Sequence, residues 1–129
     1  MIELMVVVVI AGVLAAIAIP IYGKYIKNAR VSEAHGRIGE VVTAAKAYAQ
    51  ENQTAAGVPT WPPAAGAGIV DLSSTENFDY AITAGGGADA TSTPLTILAT
   101  GKLRMAGVTV SITIDDITSS GSPPVVAGL

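Results

Sequence analysis

The chain has 129 residues, enough for one small domain; half of them are hydrophobic and only 13% are charged. A formal net charge of −3 gives no sequence-wide attraction to nucleic acid or to an acidic membrane surface. With no cysteine and a single histidine, His35, disulfides, thiolate metal sites, His-rich metal centres and two-His mechanisms are all excluded.

The first element is apolar on every side. No charged residue stands between Leu4 and Tyr22. As a helix this run is about 28 Å long, close to the ~30 Å hydrocarbon core of a bilayer. An amphipathic surface helix would show a polar face, and this stretch has none. A removable signal peptide fits poorly, because no basic region precedes the run and the run exceeds a usual signal core. Basic residues follow instead: Lys24, Lys27 and Arg30. By the positive-inside rule that flank starts cytoplasmic, whereas the rest of the chain reads as extracytoplasmic, so charge bias alone does not set the orientation.

Beyond Pro20 the helical pattern continues. Val31, Ala34, Ile38, Val41, Ala45, Tyr48 and Asn52 recur in steps of three and four, which places them on one face. Glu33, Arg37, Glu40, Lys46 and Glu51 fall mostly elsewhere. One helix from about residue 2 to about residue 52, some 75 Å long, is expected. Its second half carries a single apolar stripe in need of a partner. Polar residues, Gly57 and Pro59 in "ENQTAAGVP" stop it.

The stretch "TAAGVPTWPPAAGAG" reads as a loop pinned by Trp61. Strands are expected at Phe78 to Thr83, at "PLTILAT" with Leu95, Ile97 and Leu98, and at "AGVTVSITI". In the last, Val108, Val110, Ile112 and Ile114 alternate with Thr109, Ser111 and Thr113. "AGGGADATST" and "TGKLRMAG" are the connecting turns, and Val125 and Val126 form a short edge strand or stay loose. Three or four antiparallel strands so small need the helix to cover one face. The expected fold is therefore α+β, a long N-terminal helix packed on a small antiparallel sheet. Residues 1–23 form a hydrophobic anchor and residues 24–129 a globular part: helix to about 52, loop about 53–77, sheet about 78–129.

Few other constellations carry chemistry. Asn52-Gln53-Thr54 is a short sequon pattern, and the Ser/Thr clusters at 73–75, 91–93 and 118–120 read as solvated loops before they read as glycan sites. "GGG" at 85–87 lacks the Lys-Ser/Thr of a phosphate loop. Ser, His and Asp occur without any spacing that makes a triad. His35 is read as exposed or facing another subunit, and Tyr22, Tyr25 and Tyr48 as packing residues with hydroxyls at polar edges.

The string "IELMVVVVIAGVLAAIAIP" resembles the N-terminal signature of type IV pilins and of type II secretion pseudopilins. Ile2, Glu3 and Leu4, the apolar run, Gly12, "LAAIAIP" with Pro20, and the aromatic and basic residues that follow carry the likeness. It covers about a sixth of the chain; the remainder matches in architecture only. The resemblance implies a structural subunit rather than an enzyme, with no cofactor, no metal and no specific nucleic acid. Its apolar half-helix anchors it in the inner membrane, and pilus assembly machinery then builds it into an extracellular homo-oligomeric helical filament. Leu4, Val7, Ile10, Leu14, Ile17 and Ile19 become the filament core. Glu3 takes the role of the assembly glutamate. Gly12 and Pro20 bound a hinge that loses helicity in related filaments.

Two rivals accompany this reading. One is a major pseudopilin, for which a well-formed calcium loop would speak; Asp115 and Asp116 are candidates, though their spacing favours solvated turn acids. The other is a monomeric membrane-anchored binding domain, in which Glu3 is dispensable. An electron-carrying filament through its tyrosines is a weaker idea. Motility, adhesion, DNA uptake and secretion are not separable by sequence. The family places a basic leader ending in glycine, then Phe-Thr-Leu or similar, before the Ile-Glu pair. Here Met1 directly precedes Ile2, which implies a chain shortened relative to its precursor or an unusual N-terminus. Without cysteines, the C-terminal disulfide loop of many pilins is absent.

Overall fold

The computed structural model describes residues 1–64, 68 and 70–129, and part of the expected 53–77 loop lies outside them. Helix α1 runs Ile2–Glu51 and is followed by strands β1 (Phe78–Ala84), β2 (Leu95–Gly101), β3 (Thr109–Ile114) and β4 (Val125–Ala127). A 3-10 turn at Leu103–Met105 separates β2 from β3. The strands form one antiparallel meander in the order β1-β2-β3-β4. The architecture is α+β, as the periodicities predict.

The lower half of α1 is rich in alanine, the strongest helix former: Ala44, Ala45, Ala47 and Ala49 lie in its last two turns. Asn52 closes it. Both its backbone N–H and its Nδ2 donate to the Tyr48 carbonyl, at 2.9 and 3.0 Å. Its own carbonyl accepts from the Thr60 N–H at 3.1 Å and the Thr60 hydroxyl at 2.9 Å. The helix end and the start of the loop are thus tied together by one residue. The Asn52 side chain that a glycan would need is half-buried in this cap.

Val31, Ala34, Ile38, Val41, Ala45 and Ala49 form the buried stripe. Tyr48 was expected in it and is only half-buried at its flank; Ala49 holds the place instead. The 3.6-residue period requires two successive steps of four at 41, 45 and 49 to stay on one line. Three alanines in the stripe let the sheet approach the helix backbone closely. The contacts fall on β2 and β3, the two central strands.

The inward face of the sheet carries Phe78, Tyr80 and Ile82 from β1, Leu95, Ile97 and Ala99 from β2, and Val110 and Ile114 from β3. Register aligns them: Tyr80 stands opposite Ala99 and Ala99 opposite Val110, and Ile82 opposite Ile97. In β2 the third inward residue is Ala99, while Leu98 points to the other face and is half-buried. Val108 is buried but lies ahead of β3, where its carbonyl takes the Gly101 N–H at 2.8 Å. Ile112 is only half-buried, because β4 pairs no further than Ser111 and leaves that edge open. Val125 and Val126 do form an edge strand, as β4.

Trp61 is the pin of the loop. It is 1% exposed, and its indole N–H donates to the Thr93 carbonyl at 2.7 Å, so its large apolar body is buried with its one polar atom satisfied. Gly85, at φ +79, closes the β1–β2 turn against Pro94; a Cβ there would strike the Pro94 carbonyl. Leu103 adopts φ +49, a conformation that costs a non-glycine residue about 1–3 kcal/mol, and its side chain stands 81% exposed while neighbouring Met105 is fully buried.

Polar ties lock loops to the helix. Arg37 donates to Glu40 Oε2 at 2.7 Å, Asp71 Oδ2 at 2.6 Å and the Ser73 hydroxyl at 3.2 Å. Asn77 donates to Glu33 at 2.8 Å, Lys46 donates to the Ser119 carbonyl, and Lys102 pairs with Asp79 at 3.0 Å. The Ser73 N–H, the Ser73 hydroxyl and the Arg37 guanidinium hold the Asp71 carboxyl at about 2, below its ordinary 3.8.

Two outcomes test this packing. Ile38→Ala, at a fully buried position, lowers stability by about 2–5 kcal/mol, whereas exposed Glu33→Ala changes it by roughly 0.5–1 kcal/mol. Thermal melting of a soluble fragment beginning near Lys24 compares them, and equal shifts in midpoint would mean the buried face is wrong. The acid limb of stability tests the Asp71 tie. Between about pH 4 and pH 2 the unfolded chain binds the proton that folded Asp71 refuses, so stability present above pH 4 drains away as pH falls. Urea midpoints measured across this range therefore fall less steeply in Asp71→Asn than in the parent chain.

Candidate functional site

Among the described residues none buries the upper half of α1. Every residue from Met1 to Ile26 is exposed. Leu4, Val7, Ile10, Leu14, Ile17 and Ile19 are each between 54% and 73% exposed. The buried stripe begins only at Val31. Val6 to Val9 are β-branched and weak helix formers in water, yet the segment is helical. Inside a bilayer such a segment is held helical, since every backbone polar group must then be satisfied within it. By length and composition this helix is able to cross a membrane.

Glu3 sits at the tip of this apolar column. Its Oε2 lies 3.2 Å from the amine of Met1, and both groups are almost fully exposed. Such a solvated pair contributes little to stability, so the carboxylate is held by nothing that a stronger partner could not replace. A negative charge in the first turn also suits the helix dipole, which is the bland reading of Glu3.

Gly12 and Pro20 lie within continuous helix. A Cβ at Gly12 would meet nothing within 4 Å, so no contact inside the chain calls for glycine there. Pro20 lacks an N–H and leaves the Ala16 carbonyl without its helical donor, a local weakness worth about 3 kcal/mol against alanine in a helix interior. The structure brings Glu3, Gly12 and Pro20 onto one exposed rod and does not join them to any residue of the sheet.

The remaining candidates are structural. Asp116 Oδ1 accepts from the Thr118 N–H at 2.7 Å, the Ser119 N–H at 2.8 Å and the Thr118 hydroxyl at 2.5 Å, and these contacts lower its pKa. Asp115 is exposed beside it. Among the described residues no group of three or more His, Asp or Glu side chains is placed to hold a metal ion. His35 is exposed. Tyr48 packs at the core's flank, but Tyr22 and Tyr25 stand about 70% exposed and lie outside the core. One feature escaped the sequence reading: Leu103 and Arg104, taken there as part of a plain connecting turn, line a hollow with Arg30, Glu76 and Asn77. Only the flanking glycines, Gly101 and Gly107, hinted that this turn had a fixed shape.

No protein-family model matches the chain, and no solved structure matches it. The fold itself, a long apolar N-terminal helix packed on a small antiparallel sheet, is compatible with a pilin-like fold and with a membrane-anchored chain.

Proposed function

We propose that this chain is a structural subunit of a type IV pilus or pilus-like extracellular filament. The observation that carries the reading is the division of α1: a stripe buried on the sheet below Val31, and an apolar column exposed on all sides above it. Such a column in water is unfavourable by about 25 cal/mol per Å² of apolar surface. It therefore resides in the inner membrane first and against copies of itself later. Contacts between unlike faces of successive copies do not close, and they generate an open helical polymer. Leu4, Val7, Ile10, Leu14, Ile17 and Ile19 lie at its core. The chain's work is mechanical; it calls on no cofactor and performs no catalysis.

Glu3 sets the register. A carboxylate inside an apolar core is costly unless it is paired, and the free N-terminal amine of a neighbouring subunit is a suitable partner. The weak local pair with Met1 is readily exchanged for it. The segment from Gly12 to Pro20 supplies slack: the two poorest helix formers bracket it, and the free subunit keeps it helical at little margin.

Electron microscopy of material sheared from expressing cells tests the reading; thin helical filaments containing this chain are expected. With Glu3→Ala the subunit stays in the membrane fraction and filament yield falls strongly, while Glu3→Gln, which keeps shape without charge, is intermediate. Undiminished yield from cells making only Glu3→Ala would overturn the role of Glu3. No filaments from the parent chain, with stable membrane-bound monomer, would favour the anchored binding domain. In a filament map, residues between Gly12 and Pro20 are expected to be partly extended with helix on both sides. Continuous helical hydrogen bonding from Gly12 to Pro20, Ala16 apart, would refute the hinge.

A further inference from the structure

The chain's small net charge conceals an axial separation of charge. Lys24, Lys27 and Arg30 are the only charged residues between Glu3 and Glu33. From Glu33 onward the remaining nine acids outnumber the remaining four bases. The fold then sorts these groups along α1. Asn77 bonds to Glu33, and Arg30 lines a hollow with Leu103 and Arg104, so the β2–β3 turn lies at the end of the sheet nearest the apolar column. Lys46 bonds to Ser119 and Thr60 pairs with Asp89, so Asp89, Asp115 and Asp116 lie at the far end beside Glu51.

The near end forms a basic rim. Lys24 and Arg104 are exposed, Lys27 and Arg30 half-exposed, and among the described residues none of the four is in an ion pair. Of the acidic groups at that end, Asp79 pairs with Lys102 and Glu33 accepts from Asn77, while Glu76 lies in the hollow beside Arg104 and Leu129, with the chain's terminal carboxylate, lines a second hollow with Lys24 and Lys27. Leu103 projects from the same rim, 81% exposed and held out by its left-handed backbone. Exposed Tyr22 and Tyr25 flank Lys24.

We propose that this rim docks onto anionic lipid headgroups while the chain is in the membrane. The inference rests on the membrane-anchored stage of the reading above. Continuity with the apolar run supplies the geometry. With Tyr22 at the hydrocarbon edge, Lys24 stands about 3 Å beyond it, Lys27 about 8 Å and Arg30 about 12 Å, across the headgroup layer and its outer surface. The tyrosines occupy the interface that amphipathic aromatic rings favour. Lysine and arginine extend along the helix to reach phosphate. Leu103 and Arg104, level with Arg30, rest the edge of the sheet on the lipid surface, while the acidic far end, about 30 Å further along α1, lies beyond the reach of the surface field. The domain is held upright on the bilayer by its basic rim.

The test uses the full chain in vesicles. It has no cysteine, so Ala106→Cys places one donor dye at the rim and Ser120→Cys one at the far end, both exposed positions. Headgroup-labelled lipid is the acceptor, in phosphatidylcholine alone or with about 30% phosphatidylglycerol. Transfer from Ala106→Cys rises with phosphatidylglycerol and transfer from Ser120→Cys does not. The increase disappears at about 0.5 M salt, where screening is short-ranged. Lys24→Gln/Lys27→Gln/Arg30→Gln also abolishes it, the docked fraction falling roughly fivefold for each cation removed. Leu103→Ser lowers transfer from Ala106→Cys in the phosphatidylglycerol vesicles. Buried Trp61 emission checks that each variant is folded. A chain that fails to float with neutral vesicles overturns the anchor reading and this docking together. A chain that floats, yet gives equal transfer in both vesicle types, overturns the docking alone. Transfer that follows protein density and ignores lipid charge would assign the rim to the acidic end of a second copy, and would likewise overturn it.

Discussion

Everything in this molecule depends on the helix stripe from Val31 to Ala49 meeting the central strands. A single four-stranded meander with a three-residue edge strand leaves its apolar face in water unless the helix covers it. Ala34, Ala45 and Ala49 remove side-chain bulk at the points of closest approach, and Ile38 and Val41 fill the space between them. Because that contact fixes the lower helix rigidly, the upper helix is carried out of the domain as a continuous rod. One rotation of the stripe by a residue would tilt the rod and spoil the position of every group on it, from Pro20 to Glu3.

The loops obey the same constraint. Arg37 collects Glu40, Asp71 and Ser73, Lys46 takes the Ser119 carbonyl, and Asn52 takes Thr60. Arg37 and Lys46 lie on opposite flanks of the buried stripe and Asn52 at its end, so the chain returns to α1 on both sides of the core. Without disulfides, such charge-assisted and capping bonds hold the irregular segments in place. Their partners are mostly exposed, and each contributes modestly; the core contributes the larger share.

The amphipathic and the all-apolar stretches of α1 were legible because a 3.6-residue period and the absence of charge are local signals. Strand β3 was legible for the same reason, through strict alternation from Val108 to Ile114. Tyr48 was misplaced because a step of three or four fits equally well at the end of a short stripe, and only the sheet's position decides for Ala49. Ala99 was overlooked beside Leu98 because burial follows register, and register follows the pairing with Val110, which no local signal encodes. The rim was not legible at all. It joins Arg30 to Leu103 and Arg104 across some seventy residues, and its distinguishing mark, a leucine at positive φ, exists only in the folded chain.

The basic flank poses a puzzle. Positive residues after a membrane-length run argue for a cytoplasmic flank, yet they precede the domain that the proposed filament puts outside. Read only as topology determinants, Lys24, Lys27 and Arg30 contradict the rest of the chain. Placed in the fold, they stand at one pole of a molecule whose other pole is acidic, and the β2–β3 turn adds Arg104 to them from far along the sequence. On the proposed docking, charges so arranged bear on the orientation of the domain rather than on the direction of insertion. The field that would hold the cations at a lipid surface is short-ranged and leaves Asp89, Asp115 and Asp116, at the far pole, in open solvent. In the proposed filament subunits join in one orientation, and the proposed docking of the basic rim would give each of them that orientation while its apolar column is still in the bilayer.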